Sequence, residues 1–321
     1  MQYQLCLGFR GFSWYNQKNE PNPNTADMNS QIIQIIGSIL LAGIPAAVWG
    51  YIFYVKNPYR RSVIFYAFFL GATAVFPILF YKYLWQFFPW INAFRYTQPF
   101  TANMIGPLGF VSIPLSVILT FAIVGVIEEF MKHIAVRAMG TSEFHDIDDV
   151  IELSILCALG FSFTENIMYF HNIWVHQGPQ NLMLPFIFRS IFSTFVHVLF
   201  SGMMGYYYGI SYFSTPILRQ QKTIIWPKMM EKIFGIDDEK IFAVQNLVQG
   251  FLIAATLHAI FNVFLEMEWT FLLVPFLIIG YIYLTYLFEK KENSKKFGYL
   301  TTHDSAPASN LIGETVDAII G

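Results

Sequence analysis

Four short stretches of this sequence carry acids, bases and amides at helical spacing among apolar residues. In VIEEFMKHIAVR, Glu128 and Lys132 stand one turn apart on one face, and Glu129 points about 100° away from Glu128. That spacing predicts that only one of the two carboxylates easily addresses a given site. In FSFTENIMYF, Ser162, Glu165, Asn166 and Tyr169 follow an i, i+3, i+4, i+7 pattern and make one polar stripe. Arg189, Ser193 and His197 form a third stretch leading into Gly202, Gly205 and Gly209, and the GxxxG of Gly205 and Gly209 reads as helix packing. His258 and Asn262 stand one turn apart in LHAIFN.

A carboxylate beside histidines can take a proton from water, and an amide N–H can stabilise the oxyanion that forms when that water attacks a peptide carbonyl. The same nitrogen and oxygen donors suit a metal ion. Each stretch also has a plainer reading. Glu128, Glu129 and Lys132 could be charges at a helix end, Glu165 could serve only to bind a neighbouring helix or Arg189, and His197 could be a satisfied core histidine. An Asn or Ser would bind a neighbouring helix more cheaply than Glu165, which favours function there. Other ways of building a protease in a membrane are missing: the sequence has no HExxH, no GxSxG, and no Asp inside an apolar run.

The elements that must hold these residues follow from composition. The chain has 321 residues, 55% hydrophobic, 18% aromatic and only 12% charged, with mean hydropathy +0.48. A soluble domain has about a quarter charged residues, so lipid must solvate much of this surface. The formal net charge of -2 gives no basic field, which excludes a nucleic-acid partner on electrostatic grounds, and two cysteines make no disulfide framework. Runs without Lys, Arg, Asp or Glu cover 31–55, 62–81, 96–127, 190–218, 241–265 and 269–288. A seventh apolar stretch at about 150–175 carries Glu152, Glu165 and His171 and must face protein. Gly106, Pro107, Gly109 and Pro114 predict a broken lead-in to a helix that starts near Pro114 and reaches Arg137.

The expected fold is therefore all-α, a polytopic membrane bundle of about seven transmembrane helices. A polar arm over 1–30 precedes a membrane domain over 31–288, with the motifs inside 114–265, and a tail follows over 289–321. Seven spans put fourteen of the 19 basic residues on one side and four on the other, with Arg189 inside a span. The positive-inside rule then places the N-terminus outside and the tail in the cytoplasm. An ionisable residue at membrane depth costs roughly 2.5 to 3.5 kcal/mol on insertion scales, so the four stretches are expected to meet around one polar cavity.

The motifs in this order, EExxK at Glu128, Glu129 and Lys132, FxxxENxxY at Phe161, Glu165, Asn166 and Tyr169, Arg189 to His197, and HxxxN at His258 and Asn262, resemble the PrsW intramembrane proteases. That family sits within the CAAX-processing and bacteriocin-immunity proteases, and the resemblance covers about 114–265. It implies an intramembrane endopeptidase of a bacterial plasma membrane that cuts membrane-protein substrates, as in first-site cleavage of an anti-sigma factor. It implies Glu128 as the principal base, Glu129 and Lys132 in support, Asn166 within the site, and Asn262 as an oxyanion donor. Glu165, His197 and His258 would complete a water or metal site, so that Glu128, Glu165, His197 and His258 are the expected ligands of a metal such as Zn²⁺. In CAAX-type relatives the second motif ends in His; Glu165 stands there in this chain, which leaves metal-bound and purely glutamate-activated water both open. Two rivals remain. An ion-coupled transporter or channel could also use intramembrane Glu and His, but predicts repeated halves that the sequence lacks. A non-catalytic immunity-type member would keep the fold without the activity.

Overall fold

The computed structural model describes residues 28–56, 60–106, 112–213 and 238–293. The arm before Met28, the 214–237 segment with its basic residues and the tail after Asn293 lie outside the described residues. Helix α1 covers Met28–Lys56, α2 Arg61–Thr73, α3 Val75–Leu84, α4 Leu115–Ala138, α5 Ile147–Gln177, α6 Met183–Phe188, α7 Thr194–Tyr212, α8 Asp238–Glu266 and α9 Leu273–Asn293.

Local chemistry accounts for several of these boundaries. Helices α2 and α3 form one apolar stretch interrupted at Ala74, because Pro77 lacks an N–H and its ring crowds the carbonyl four residues earlier. Helix α5 begins where the Asp146 carboxylate accepts from the Asp149 N–H at 2.8 Å, with Asp148 and Asp149 in the first turn against the helix dipole. It ends at Gly178, whose φ of +85° lies outside the right-handed region. The lead-in to α4 is broken, as Gly106 and Pro114 require: a 3₁₀ helix over Ala93–Phe100 is followed by a two-stranded antiparallel ladder, β1 Met104–Ile105 with β2 Ile113–Pro114. That ladder is the only departure from all-α among the described residues.

Helix α5 runs through the middle, with α1, α2 and α7 packed on it; α7 also packs α8 and α9, and α8 packs α4. Close crossings make this possible. A Cβ on Gly160 of α5 would run into the Phe68 carbonyl of α2, and one on Gly205 would meet Ile151 Cα at 2.8 Å. The Gly205 and Gly209 pair thus seats α7 on α5, as its spacing suggested.

Five stretches are long and apolar enough to cross a membrane: Met28–Lys56, Arg61–Leu84, Pro179–Tyr212, Glu239–Glu266 and Thr270–Lys291. Their outward faces carry large apolar side chains, such as Phe69, Phe76, Leu184 and Ile279, all more than half exposed. Helices α4 and α5, of 24 and 31 residues, carry the acidic motifs and are not among these five.

Candidate active site

Helices α4, α5, α7 and α8 enclose a buried polar knot. Glu128, Glu129 and Lys132 of α4 are 3%, 1% and 3% exposed, so they are not interfacial charges at a helix end. Lys132, expected among the basic residues of the cytoplasmic side, is inside the bundle instead. Its Nζ donates to Glu129 Oε1 at 2.6 Å and lies 2.8 Å from His197 Nδ1. The Phe161 ring sits beneath the same ammonium at 4.9 Å, which gives the first residue of the FxxxEN motif a task in covering the charge.

His197 is held from both edges. An ammonium can only donate, so its hydrogen bond to Nδ1 leaves the proton on Nε2, which donates to Glu165 Oε2 at 3.0 Å. Glu165 also takes the Arg189 guanidinium at 3.0 Å. Asn166 Oδ1 accepts from Arg189 Nε at 2.5 Å, and Arg189 lies 4.5 Å over the Tyr169 ring. The polar stripe of α5 therefore works as a unit: Glu165 reaches the knot, while Asn166 and Tyr169 fix the arginine beside it. Arg189 opens a π-helical segment, Arg189–Ser193, in which the Thr194 hydroxyl donates to its carbonyl at 3.1 Å. Such single turns occur often at functional sites. The sequence singles out Arg189 as a guanidinium inside an apolar run and a partner for Glu165, without assigning it a role in the site.

His258 reaches both Glu128 and Glu129. Its Nδ1 is 2.7 Å from Glu129 Oε1, and its Nε2 is 3.5 Å from Glu128 Oε2. The two imidazole nitrogens face different directions, so one ring lies between two carboxylates that diverge on their own helix. The His197 and His258 rings cross edge to face at 5.4 Å. Glu128, Glu165 and His197 present ligand atoms within 4.8 Å of one another; His258 adjoins this group through Glu128.

A cavity of about 500 Å³ reaches this knot, walled by α6, the π turn, α7 and the α8 end through to the start of α9. Glu165, His197, His258 and Asn262 line it, with Phe188, Phe192, Phe261 and Leu265 on its apolar walls. Glu128, Glu129 and Lys132 lie one layer behind it.

A family model described as PrsW family intramembrane metalloprotease matches residues 59–288. The chain belongs to this family. Protease PrsW of Oceanobacillus iheyensis is 28% identical over 257 residues, covering 78% of this chain and 94% of that protein. Protease PrsW of Geobacillus kaustophilus is 26% identical over 217 residues, covering 65% and 82% respectively. No solved structure matches the chain. This PrsW-family chain is thus a membrane-embedded protease and an integral, multi-pass membrane protein.

The family's description as metalloproteases implies a metal, and the knot can be tested for fit. Three carboxylates stand against two cations, Lys132 and Arg189. Glu128 Oε2 is buried without an aligned hydrogen bond among the described residues. An orphan carboxylate oxygen, more carboxylates than cations and clustered oxygen and nitrogen donors suit a divalent cation. The residues fit the group.

Proposed function

We propose that the PrsW-family site hydrolyses peptide bonds of membrane-protein substrates with water activated by Glu128. The observation that carries this is the convergence of Glu128, Glu165 and His197 within 4.8 Å on three helices beside the cavity. Two hydrogen bonds of about 2.8 Å span such a gap through one water. In this reading Glu128 takes a proton from that water as its oxygen bonds to the scissile carbonyl carbon. Asn262 donates to the oxyanion, and Glu128 returns the proton to the leaving amine as the C–N bond breaks. Glu129 fixes the ring orientation of His258 in the way carboxylate partners orient ligating histidines, and Lys132 holds the His197 ring through Nδ1. Glu128, Glu165 and His258 would hold the metal, joined by His197 once its Nε2 gives up its proton, with Zn²⁺ suited to the donor set; when bound it would polarise the carbonyl and make water more acidic.

The site's depth supports access from the extracytoplasmic half. His258 is eight residues, about 12 Å, from the end of α8 at Glu266, and Glu165 is twelve, about 18 Å, from the end of α5 at Gln177. Helices α4 and α5 would cross the bilayer beside the five apolar stretches, giving seven crossings with an outside N-terminus, a membrane domain over 31–288 and a cytoplasmic tail. The location would be a bacterial plasma membrane, and a signalling or anti-sigma protein the kind of substrate cut. Purified protein in proteoliposomes should cleave such a substrate, and Glu128→Gln should not. Equal cleavage by the two would overturn the reading. Reporter fusions after Lys56 and Lys295 should mark the cytoplasm, and fusions after Arg95 and Gln177 the outside.

A further inference from the structure

The turn that closes α8 is a complete Schellman motif with an unusual residue at its centre. The Trp269 N–H donates to the Phe264 carbonyl at 2.8 Å, and the Glu268 N–H to the Leu265 carbonyl at 3.2 Å. The Phe264 and Trp269 rings pack at 6.2 Å, supplying the apolar contact that accompanies such caps. The residue between these two donors must adopt a left-handed backbone, and glycine normally fills that place. Here it is Glu268, with φ +60°, the only non-glycine residue at positive φ among those described. Glycine would relieve this strain, so backbone geometry does not explain a glutamate there.

Position gives a second, independent observation. Glu268 lines the same cavity as His197, His258 and Asn262, at the end remote from the knot, and it is exposed. Its carboxylate makes no ion pair with another described residue. The one basic residue on the cavity wall, Arg189, is already engaged by Glu165 and Asn166. The route to the site therefore has apolar walls and a single uncompensated negative charge at its mouth.

We propose that Glu268 determines substrate specificity by pairing with a Lys or Arg on the outer flank of the substrate's transmembrane segment. This rests on the proposed reading of the cavity as the substrate's path to the site. Membrane helices carry few basic residues on their outer flank, so a charge read there separates substrates from bystanders. The distance sets the register. From His258 to the rim is about 12 to 15 Å along α8, which an extended peptide covers in about four residues. The basic residue is thus expected about four positions from the scissile bond, on its outer side.

The test uses synthetic transmembrane peptides of one sequence in proteoliposomes, with Lys four positions outside the cut, Lys eight positions outside it, or Gln or Glu at the fourth. Wild type should show a KM about fivefold lower for Lys at the fourth position than for the others, at similar kcat, the size of a partly exposed ion pair. Glu268→Gln should erase the preference, and Glu268→Lys should transfer it to the Glu peptide. Glu268→Gly should erase it too while raising the Tm by about 2 °C, because the turn relaxes. Affinities measured on Glu128→Gln separate the two claims. Selective binding without cleavage by wild type would sustain the specificity site and sink the protease mechanism. Cleavage or binding indifferent to the charge, or no binding at all, would overturn the role of Glu268.

Discussion

Helices α1 and α5 have nearly the same length, 29 and 31 residues, and pack against each other, yet opposite demands shape them. Helix α1 buries four residues and turns Ile32, Leu40, Val48 and Ile52 outward. Helix α5 buries more than half of its length, including Ser162 and Asn166, against protein on several sides. The first is made for lipid and tolerates any apolar side chain that keeps the helix. The second is made for its neighbours, where a polar atom has to meet a specific partner. The buried polar knot draws on the second kind.

The comparison breaks most visibly in the knot. Glu128→Gln, Glu165→Gln, His197→Ala and His258→Ala should each lower the rate of proteolysis by at least about 10² to 10⁴-fold while the protein still inserts and accumulates. Because these groups share hydrogen bonds, double variants should fall little further than singles. Rates that multiply across a double variant would mean that the four do not act as one site. Polar substitutions confined to the outward face of α1, such as Val48→Thr, should leave the rate unchanged in the same assay.

Steric replacement sharpens the contrast next. Gly160→Val in α5 forces a side chain against the Phe68 carbonyl of α2 and should cost about 3 kcal/mol or more, read as lost accumulation or a lower Tm. Gly43→Val in α1 meets nothing within 4 Å and should behave as wild type. Similar losses from both would mean that α1 is as tightly enclosed as α5.

The same contrast explains what was legible in the sequence. Apolar runs marked α1, α2 with α3, α8 and α9, because a helix with a lipid-facing side declares itself by composition alone, and they marked α7 as well, although it is buried almost throughout. Helix α5 showed only as an apolar stretch interrupted by Glu165, and its stripe of Ser162, Asn166 and Tyr169 pointed to protein neighbours without naming them. The individual residues of the knot were visible because charge at membrane depth is costly. Their pairings were not: Lys132 looked like a boundary residue, and Glu128 and Glu129 looked divergent. Pairing depends on where α7 and α8 bring His197 and His258, and one helix's periodicity carries no record of its neighbours' positions.

Arg189 is the smaller perturbation within the knot. It touches Glu165 and Asn166, so it is a positioning residue for the carboxylate. Arg189→Gln should lower kcat about 10- to 100-fold with KM little changed, as loss of an outer partner does at comparable sites. Asn166→Leu should act in the same direction through the freed guanidinium. A rise in KM at constant kcat would assign Arg189 to substrate binding instead.

The weakest expected effect comes from charges of the same kind at the opposite end of the bundle. Lys291 of α9 pairs with Asp148, and Arg60 pairs with Asp149, both at the start of α5. The Asp148 side chain is 61% exposed, whereas Glu129 in the knot is 1% exposed. Water screens the first pair and cannot reach the second. Asp148→Asn should therefore change stability by no more than about 1 kcal/mol, and less as salt is raised, because exposed charges interact over about 10 Å at 0.1 M ionic strength. Proteolysis should be unaffected, since nothing in the knot contacts α9 through this pair. If Asp148→Asn instead cut activity as deeply as Glu165→Gln, the end of α5 and its centre would be coupled along the helix. The division between a lipid-adapted periphery and a self-contained polar centre would then fail.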